Sequence, residues 1–216
     1  MKDFTARLAA GAAALGATLD ATQLAQFERL TAELIKWNKA YNLTAITAPD
    51  EILTHHLLDS LTAHRQLAGT TVADVGTGAG FPGLPLAIVN PTRRFTLIDA
   101  VDKKLRFIDH AARELGLANV RTRHGRIEQF TPEAFDTVIA RAFAPLPRLV
   151  TLVTPIVGPA ARLIAMKGRW PPAAAEAEGD GGPLPAGWCI QSVHPVVVPG
   201  LAEARHLLLL HHAAAA

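Results

Sequence analysis

A single cysteine, Cys189, is all the thiol that this chain of 216 residues carries. An internal disulfide framework is thereby excluded, and a reducing compartment suits the protein. Long hydrophobic runs are missing too: the strongest apolar tail, residues 207–210, is far too short to span a bilayer. The alanine-rich stretch 8–19 imitates a short secretory core, but it has few bulky apolar residues and runs straight into a helix cap at Asp20. A cytoplasmic location is expected. Charge of one sign is equally scarce, with 21 Lys and Arg against 19 Asp and Glu, so any surface for nucleic acid has to come from local clustering. Half of the residues are hydrophobic and 19% are charged, which leaves no case for global disorder.

What is present centres on residues 71–89. A valine-rich run passes through Asp74 into a loop with Gly76, Gly78, Gly80 and Gly83, then meets a Leu/Ile/Val segment suited to a helix. Such a strand, glycine loop and helix start form a backbone cradle: glycine lets a ligand lie on the main chain, and the helix start offers free N–H groups. A small, nucleotide-like ligand is expected there.

Upstream of this loop the pattern is helical. Asp20 and Gln23 have capping-box spacing, and Leu24, Phe27, Leu30, Leu34 and Trp37 recur at helical intervals. After a break at residues 38–44, Thr47-Ala48-Pro49-Asp50 has the look of a second cap, with proline in the first turn of a helix carrying His55, His56 and Asp59. Residues 1–68 are therefore expected to form a helical N-terminal domain, with Gly69 and Thr70 as its junction to a second domain over 69–216.

In the second domain strands and helices alternate. The stretch 71–89 supplies the first strand, and further strands are expected at 94–98, 120–124, 135–140 and 162–166, with a helix over 102–115 stopped by Gly116 and a proline-interrupted helix reaching Val153. That order predicts an α/β fold with a parallel sheet and helices on both faces. Residues 169–187 read as a long loop with at most a helical turn at 173–178. Two last strands, 189–198 and 205–210, predict an antiparallel hairpin at the sheet edge.

Two cofactor classes suit the loop. Gly78-Ala79-Gly80-Phe81-Pro82-Gly83 matches the dinucleotide pattern, and Asp99 follows at a distance suited to ribose hydroxyls. S-adenosylmethionine fits better. Gly76, Gly78 and Gly80 follow the strand directly, Asp74 stands just before them, and the chain closes with the expected hairpin. A cationic sulfonium with an ammonium group tolerates that carboxylate, whereas a pyrophosphate would be repelled by it.

The motifs Trp37-Asn38-Lys39-x-Tyr41-Asn42-Leu43-Thr44, His55-x-x-x-Asp59-Ser60, Asp74-x-Gly76-x-Gly78-x-Gly80-Phe81-Pro82-Gly83 and Ala140-Arg141-Ala142-Phe143 together resemble the RsmG family, also called GidB. The resemblance covers nearly the whole chain. It implies a class I, Rossmann-like S-adenosylmethionine-dependent methyltransferase, with a mostly parallel sheet, an antiparallel C-terminal strand and a helical N-terminal domain. It further implies methylation of N7 of a guanine in the decoding region of 16S ribosomal RNA. Family cofactor contacts carry over to Gly76, Phe81, Ile127, Glu128 and Arg141; Asp74, Gly78 and Asp99 are added on general grounds. Two rivals remain: a methyltransferase of the same fold with another nucleic-acid or small-molecule acceptor, and a nonenzymatic ribosomal RNA-binding factor.

No catalytic residue is expected in this reading. Guanine N7 has an exposed lone pair and no proton, so in-line positioning and desolvation suffice without a general base. Cys189, in a late strand, is expected to be a small buried apolar residue rather than a nucleophile. His55 and Asp59 lie one helical turn apart, which makes a poor metal site and better suits a cap, interdomain or RNA-facing role. Trp37 belongs to the apolar stripe, and Tyr41 is the more open of two rings able to stack on a base. Candidate RNA contacts are Arg123, Arg126, Lys167 and Arg205, with the small ribosomal subunit or its 16S RNA as partner and a monomer as the expected state.

Overall fold

The computed structural model describes residues 2–130, 133–170 and 182–212. The helical turn expected at 173–178 lies outside the described residues.

Helices α1 (Lys2–Ala14) and α2 (Ala21–Tyr41) open the chain. The capping box is present: Asp20 Oδ1 accepts from Gln23 N at 2.8 Å, and Gln23 Oε1 accepts from Asp20 N at 3.0 Å. These bonds satisfy two of the amide donors that a helix start leaves unpaired. Phe27, Leu30 and Leu34 form the buried stripe of α2, which ends where Asn42 turns left-handed at φ 48°. Asn38 holds the exit, its Oδ1 accepting from Leu43 N at 2.6 Å and Thr44 N at 2.9 Å.

Next, α3 (Pro49–Glu51) runs through a π-helical stretch, Ile52–Leu58, into α4 (Asp59–Leu61). Proline takes its expected place in the first turn, but the cap residue is Ala48 and no side chain bonds to the helix start. The π-helical stretch is invisible to a 3.6-residue reading, and such bulges recur at functional sites.

Among the described residues, seven strands form one sheet in the order β3-β2-β1-β4-β5-β7-β6. They are β1 (Thr71–Val75), β2 (Arg94–Asp99), β3 (Val120–His124), β4 (Phe135–Arg141), β5 (Val157–Lys167), β6 (Trp188–Val196) and β7 (Arg205–His212). The first five pair in parallel, while β7 runs antiparallel to both β5 and β6. The hairpin is therefore present, with its second strand inserted between β5 and β6. Strand β5 begins at Val157, earlier than the apolar run predicts.

Helices α5 (Gly83–Val89), α6 (Asp102–Glu114) and α7 (Leu146–Val153) connect the strands, whereas the β3–β4 link contributes a 3-10 turn at Ile127–Gln129. Alternation along β1 sends Val72 to one face and Ala73 and Val75 to the other, all nearly or wholly buried, as expected of a strand covered on both sides. One face packs against α5, α6 and the N-terminal helices, sharing Leu8, Phe27, Leu57, Leu84 and Phe107 in a single core. The other carries α7 through Leu146, Leu149, Val150 and Val153.

Cys189 corrects the reading of a small buried residue. It is exposed, and its Sγ lies 3.2 Å from His211 Nε2 on the adjacent strand. Strand β6 is the sheet edge and alternates exposed with half-buried residues after Trp188, and the pleat turns Cys189 outward while Trp188 is buried.

Candidate cofactor and nucleic-acid site

Strand β1 ends in the glycine loop at the carboxyl edge of the sheet, where open α/β sheets bind ligands. Gly76 and Gly78 have φ of 69° and 62°, which glycine adopts without the clash that a Cβ brings. Gly76 N and Thr77 N both donate to Ile98 O, at 2.9 and 3.1 Å, fastening the loop to the end of β2.

Two carboxylates brace it. Asp74 is fully buried beneath the loop, where its Oδ2 accepts from Thr77 Oγ1 at 2.5 Å and from Gly83 N at 2.8 Å. Burial pushes the Asp74 carboxyl up to about 6, against the opposing effect of these hydrogen bonds. Its Oδ1 is buried without a hydrogen-bond partner among the described residues. Asp99, at the end of β2, accepts from Gly78 N and from Val101 N, each at 2.9 Å.

Opposite the loop, Arg141 ends β4. Its Nη1 donates to His55 O at 2.7 Å and to Asp59 Oδ2 at 2.9 Å, so the N-terminal helices reach directly into the site. Arg205 Nε donates to Asp59 Oδ1 at 3.2 Å. One buried carboxylate thus joins two guanidiniums and leaves a net positive wall. His56 stacks on Phe81 with ring centroids 4.5 Å apart, and its Nδ1 lies 3.4 Å from Arg141 Nη2. Because a guanidinium only donates, that nitrogen is an acceptor, and Nε2–H is left to face Thr44 Oγ1 at 3.0 Å. Burial, aided by Arg141, lowers the His56 imidazole to about 4, so it is neutral at pH 7.

Two cavities meet at the loop. The smaller, about 450 Å³, is lined by Asp99, Arg126, Ile127 and Glu128; the larger, about 750 Å³, by Phe81, Arg141, Lys167 and Arg205 among others. Gly76, Lys104 and the segment 142–145 line both. The fold therefore gathers residues from the ends of β1, β2, β4, β5 and β7 around these two adjoining cavities. Gly78 lines the larger cavity, and a Cβ added there would meet nothing within 4 Å.

Two expected residues stand apart. Asp74 lines neither cavity, its carboxylate being turned under the loop. Arg123 is 3.1 Å from Glu133 and lies over the Phe130 ring at 4.1 Å, also away from both cavities. Both Asp59 oxygens are taken by arginines, which places it between the helices and the sheet.

Nothing local in the sequence marks Phe143 and Lys104 as site residues. Phe143 is 37% exposed and covers Gly76 so closely that a Cβ at Gly76 would come within 2.1 Å of its ring. The preceding Ala142 has φ 49°, unusual for a residue with a side chain. The Ala-Arg-Ala-Phe motif held this residue, but only the fold shows it leaning over the loop. Lys104 looks like any surface lysine of an amphipathic helix, and only the position of α6 brings it to both cavities.

The family profile described as rRNA small subunit methyltransferase G (GidB) matches residues 23–208. The ribosomal RNA small subunit methyltransferase G of Azoarcus sp. (strain BH72) is 44% identical over 209 residues, covering 96% of each chain. Solved structures agree in fold. A SAM dependent methyltransferase from Aquifex aeolicus superposes with a TM-score of 0.55 at 19% identity, over 76% of this chain and 93% of that one. A SAM-dependent methyltransferase from Thiobacillus denitrificans, in complex with S-adenosyl-L-homocysteine, gives 0.52 at 15% identity, over 83% and 97%. With a family match across most of its length and a relative this similar end to end, the chain belongs to the rRNA small subunit methyltransferase G family.

Proposed function

We propose that this protein transfers a methyl group from S-adenosylmethionine to N7 of a guanine in the decoding region of 16S ribosomal RNA, in the cytoplasm. The observation that carries the reading is a pair of cavities of different character that share Gly76 of the glycine loop, Lys104 and the segment 142–145. The smaller suits a nucleoside, with Asp99 beside it and Ile127 and Glu128 on its wall. The larger is walled by Arg141, Lys167 and Arg205, which suits the phosphates of an RNA acceptor.

The residues present fit the cofactor. When bound, S-adenosylmethionine supplies an electrophilic methyl on a sulfonium. Gly76 and Gly78 offer bare backbone, and Asp74 places a buried carboxylate with one unpartnered oxygen beneath the loop, favouring cationic groups above it. Phe81, locked against His56, shapes the cavity floor, and Arg141 stands above it with its guanidinium 5.9 Å from the Phe81 ring centre. His56 is neutral and has both ring nitrogens engaged, so it takes no proton in this scheme. Guanine N7 needs none removed, and the protein's task is orientation and exclusion of water.

Labelled S-adenosylmethionine and 16S RNA lacking its N7 mark test the reading. Label on N7 of a single decoding-region guanine is the expected product. Label on another atom, or on none, overturns it.

A further inference from the structure

Among the described residues, the large apolar side chains left exposed are Tyr41, Val101, Phe143, Val193 and Val197. Phe143 belongs to the site above. Tyr41 does not line either cavity, yet its position is built with care. Its ring stacks on Trp37 with centroids 5.2 Å apart and planes 27° from parallel. Trp37 is held in turn by His110 at 4.8 Å and Phe107 at 5.9 Å. This column of rings roots Tyr41 in the core while leaving it 43% exposed. The stack on Trp37 supports one face of the Tyr41 ring.

The surroundings are basic. Lys39 is exposed in the last turn of α2, and Lys103 reaches from α6 to donate to Tyr41 O at 2.7 Å. Lys104 follows at the rim of both cavities. The acidic groups nearby are spoken for: Asp102 pairs with Arg106 at 2.6 Å, and Asp99 is buried against the glycine loop. The loop leaving Tyr41 leads to the larger cavity, because Leu43, Thr44 and Ile46 line it and Asn38 pins Leu43 and Thr44 in place.

We infer that Tyr41, backed by Trp37 and flanked by Lys39 and Lys103, is a ledge on which an unpaired base of the RNA substrate stacks beside the cavity that takes the acceptor base. A rigid ring with an open face beside positive charge is how proteins hold single-stranded nucleic acid, stacking a base on the ring and drawing the backbone by charge. The ledge rests on the ribosomal RNA reading above, and it lies outside the residues assigned to the cofactor.

Binding of unmodified 16S RNA, the KM for that RNA in methyl transfer, and calorimetric affinity for S-adenosylmethionine are measured on the full chain. Tyr41→Ala is expected to weaken RNA binding and raise the RNA KM by roughly tenfold, with cofactor affinity and thermal midpoint near those of the wild type. Tyr41→Phe and Tyr41→Trp are expected to restore binding, since a ring is needed and a hydroxyl is not. Lys39→Gln is expected to lower the slope of log affinity against log salt by about one. An unchanged KM in Tyr41→Ala overturns the ledge, as does a Tyr41→Phe variant as weak as Tyr41→Ala. A defect seen on assembled subunits and absent on naked RNA also overturns it, in favour of a protein contact. Should the wild type itself transfer no methyl to 16S RNA, the proposed function fails first, and the two failures are thereby distinguished.

Discussion

Asp59 Oδ2 accepts a hydrogen bond from Arg141 Nη1 at 2.9 Å, a contact between residues 82 apart in sequence. It joins the helical start of the chain to the end of β4, and the second oxygen of Asp59 engages Arg205 of β7. Asp59→Asn keeps the shape but leaves two guanidiniums with no compensating charge. A loss of about 3 kcal/mol is expected, at the low end for broken buried pairs because both arginines reach solvent. Urea denaturation checks it, and a midpoint equal to the wild type would show that the carboxylate is dispensable.

At Gly76 any side chain meets two obstacles. The residue has φ 69°, and a Cβ would strike Phe143 at 2.1 Å. Gly76→Val is expected to abolish S-adenosylmethionine binding in calorimetry while the protein stays folded. Gly78→Ala, where a Cβ meets nothing within 4 Å, is expected to bear only the backbone strain, about 1–2 kcal/mol. Adding Phe143→Ala to Gly76→Ala removes the collision but not that strain, so the double variant is expected to recover binding only in part.

Acid stability should contain two opposing slopes. His56 titrates at about 4 in the folded protein against 6.5 in the open chain, so unfolding takes up a proton between those values and stability falls as pH drops. Asp74 titrates at about 6 folded against 3.8 unfolded, so the folded state holds a proton that the open chain has lost, and stability falls as pH rises through that window. Each effect is worth roughly 3 kcal/mol, and from pH 4 to 6 they largely cancel. Relative to the wild type, Asp74→Asn is expected to gain stability as pH rises from 4 to 6, and His56→Gln to gain it as pH falls over the same range. Denaturation of the three proteins at pH 4.5, 5.5 and 6.5 reads both signs.

Gln23 does more than close a capping box. Its Nε2 also donates to Ile88 O at 3.0 Å, tying the start of α2 to α5. Asp20→Ala is expected to cost about 1 kcal/mol, as for other caps. Gln23→Ala loses the cap's return bond and the tie to α5, and about 1–2 kcal/mol is expected. Equal thermal midpoints for the two variants would show that the tie to α5 adds nothing.

Much of the architecture follows from local pattern. The caps at Asp20 and Gly116, the apolar stripe of α2, the glycine loop after β1 and the strand–helix alternation all depend on residues within a few positions of one another, which is why they are readable without coordinates. The π-helical stretch at Ile52–Leu58 is not readable from the chain, because its residues suit an ordinary helix; in the fold one of its carbonyls, His55 O, accepts from Arg141. The exposure of Cys189 is hidden from the sequence for a related reason. Whether a strand residue faces core or solvent depends on what covers the sheet, and β6 turned out to be the edge.

By itself, then, the sequence determined the order of elements, the glycine cradle at the end of β1 and the family to which the chain belongs, since these rest on backbone preference and on motifs contiguous in the chain. Only the tertiary structure decided that β7 lies between β5 and β6, that Asp59 holds two arginines, one of them 146 residues away, and that Phe143 covers Gly76. Those relationships arise from packing and charge pairing between segments far apart in sequence, whose meeting no local spacing records.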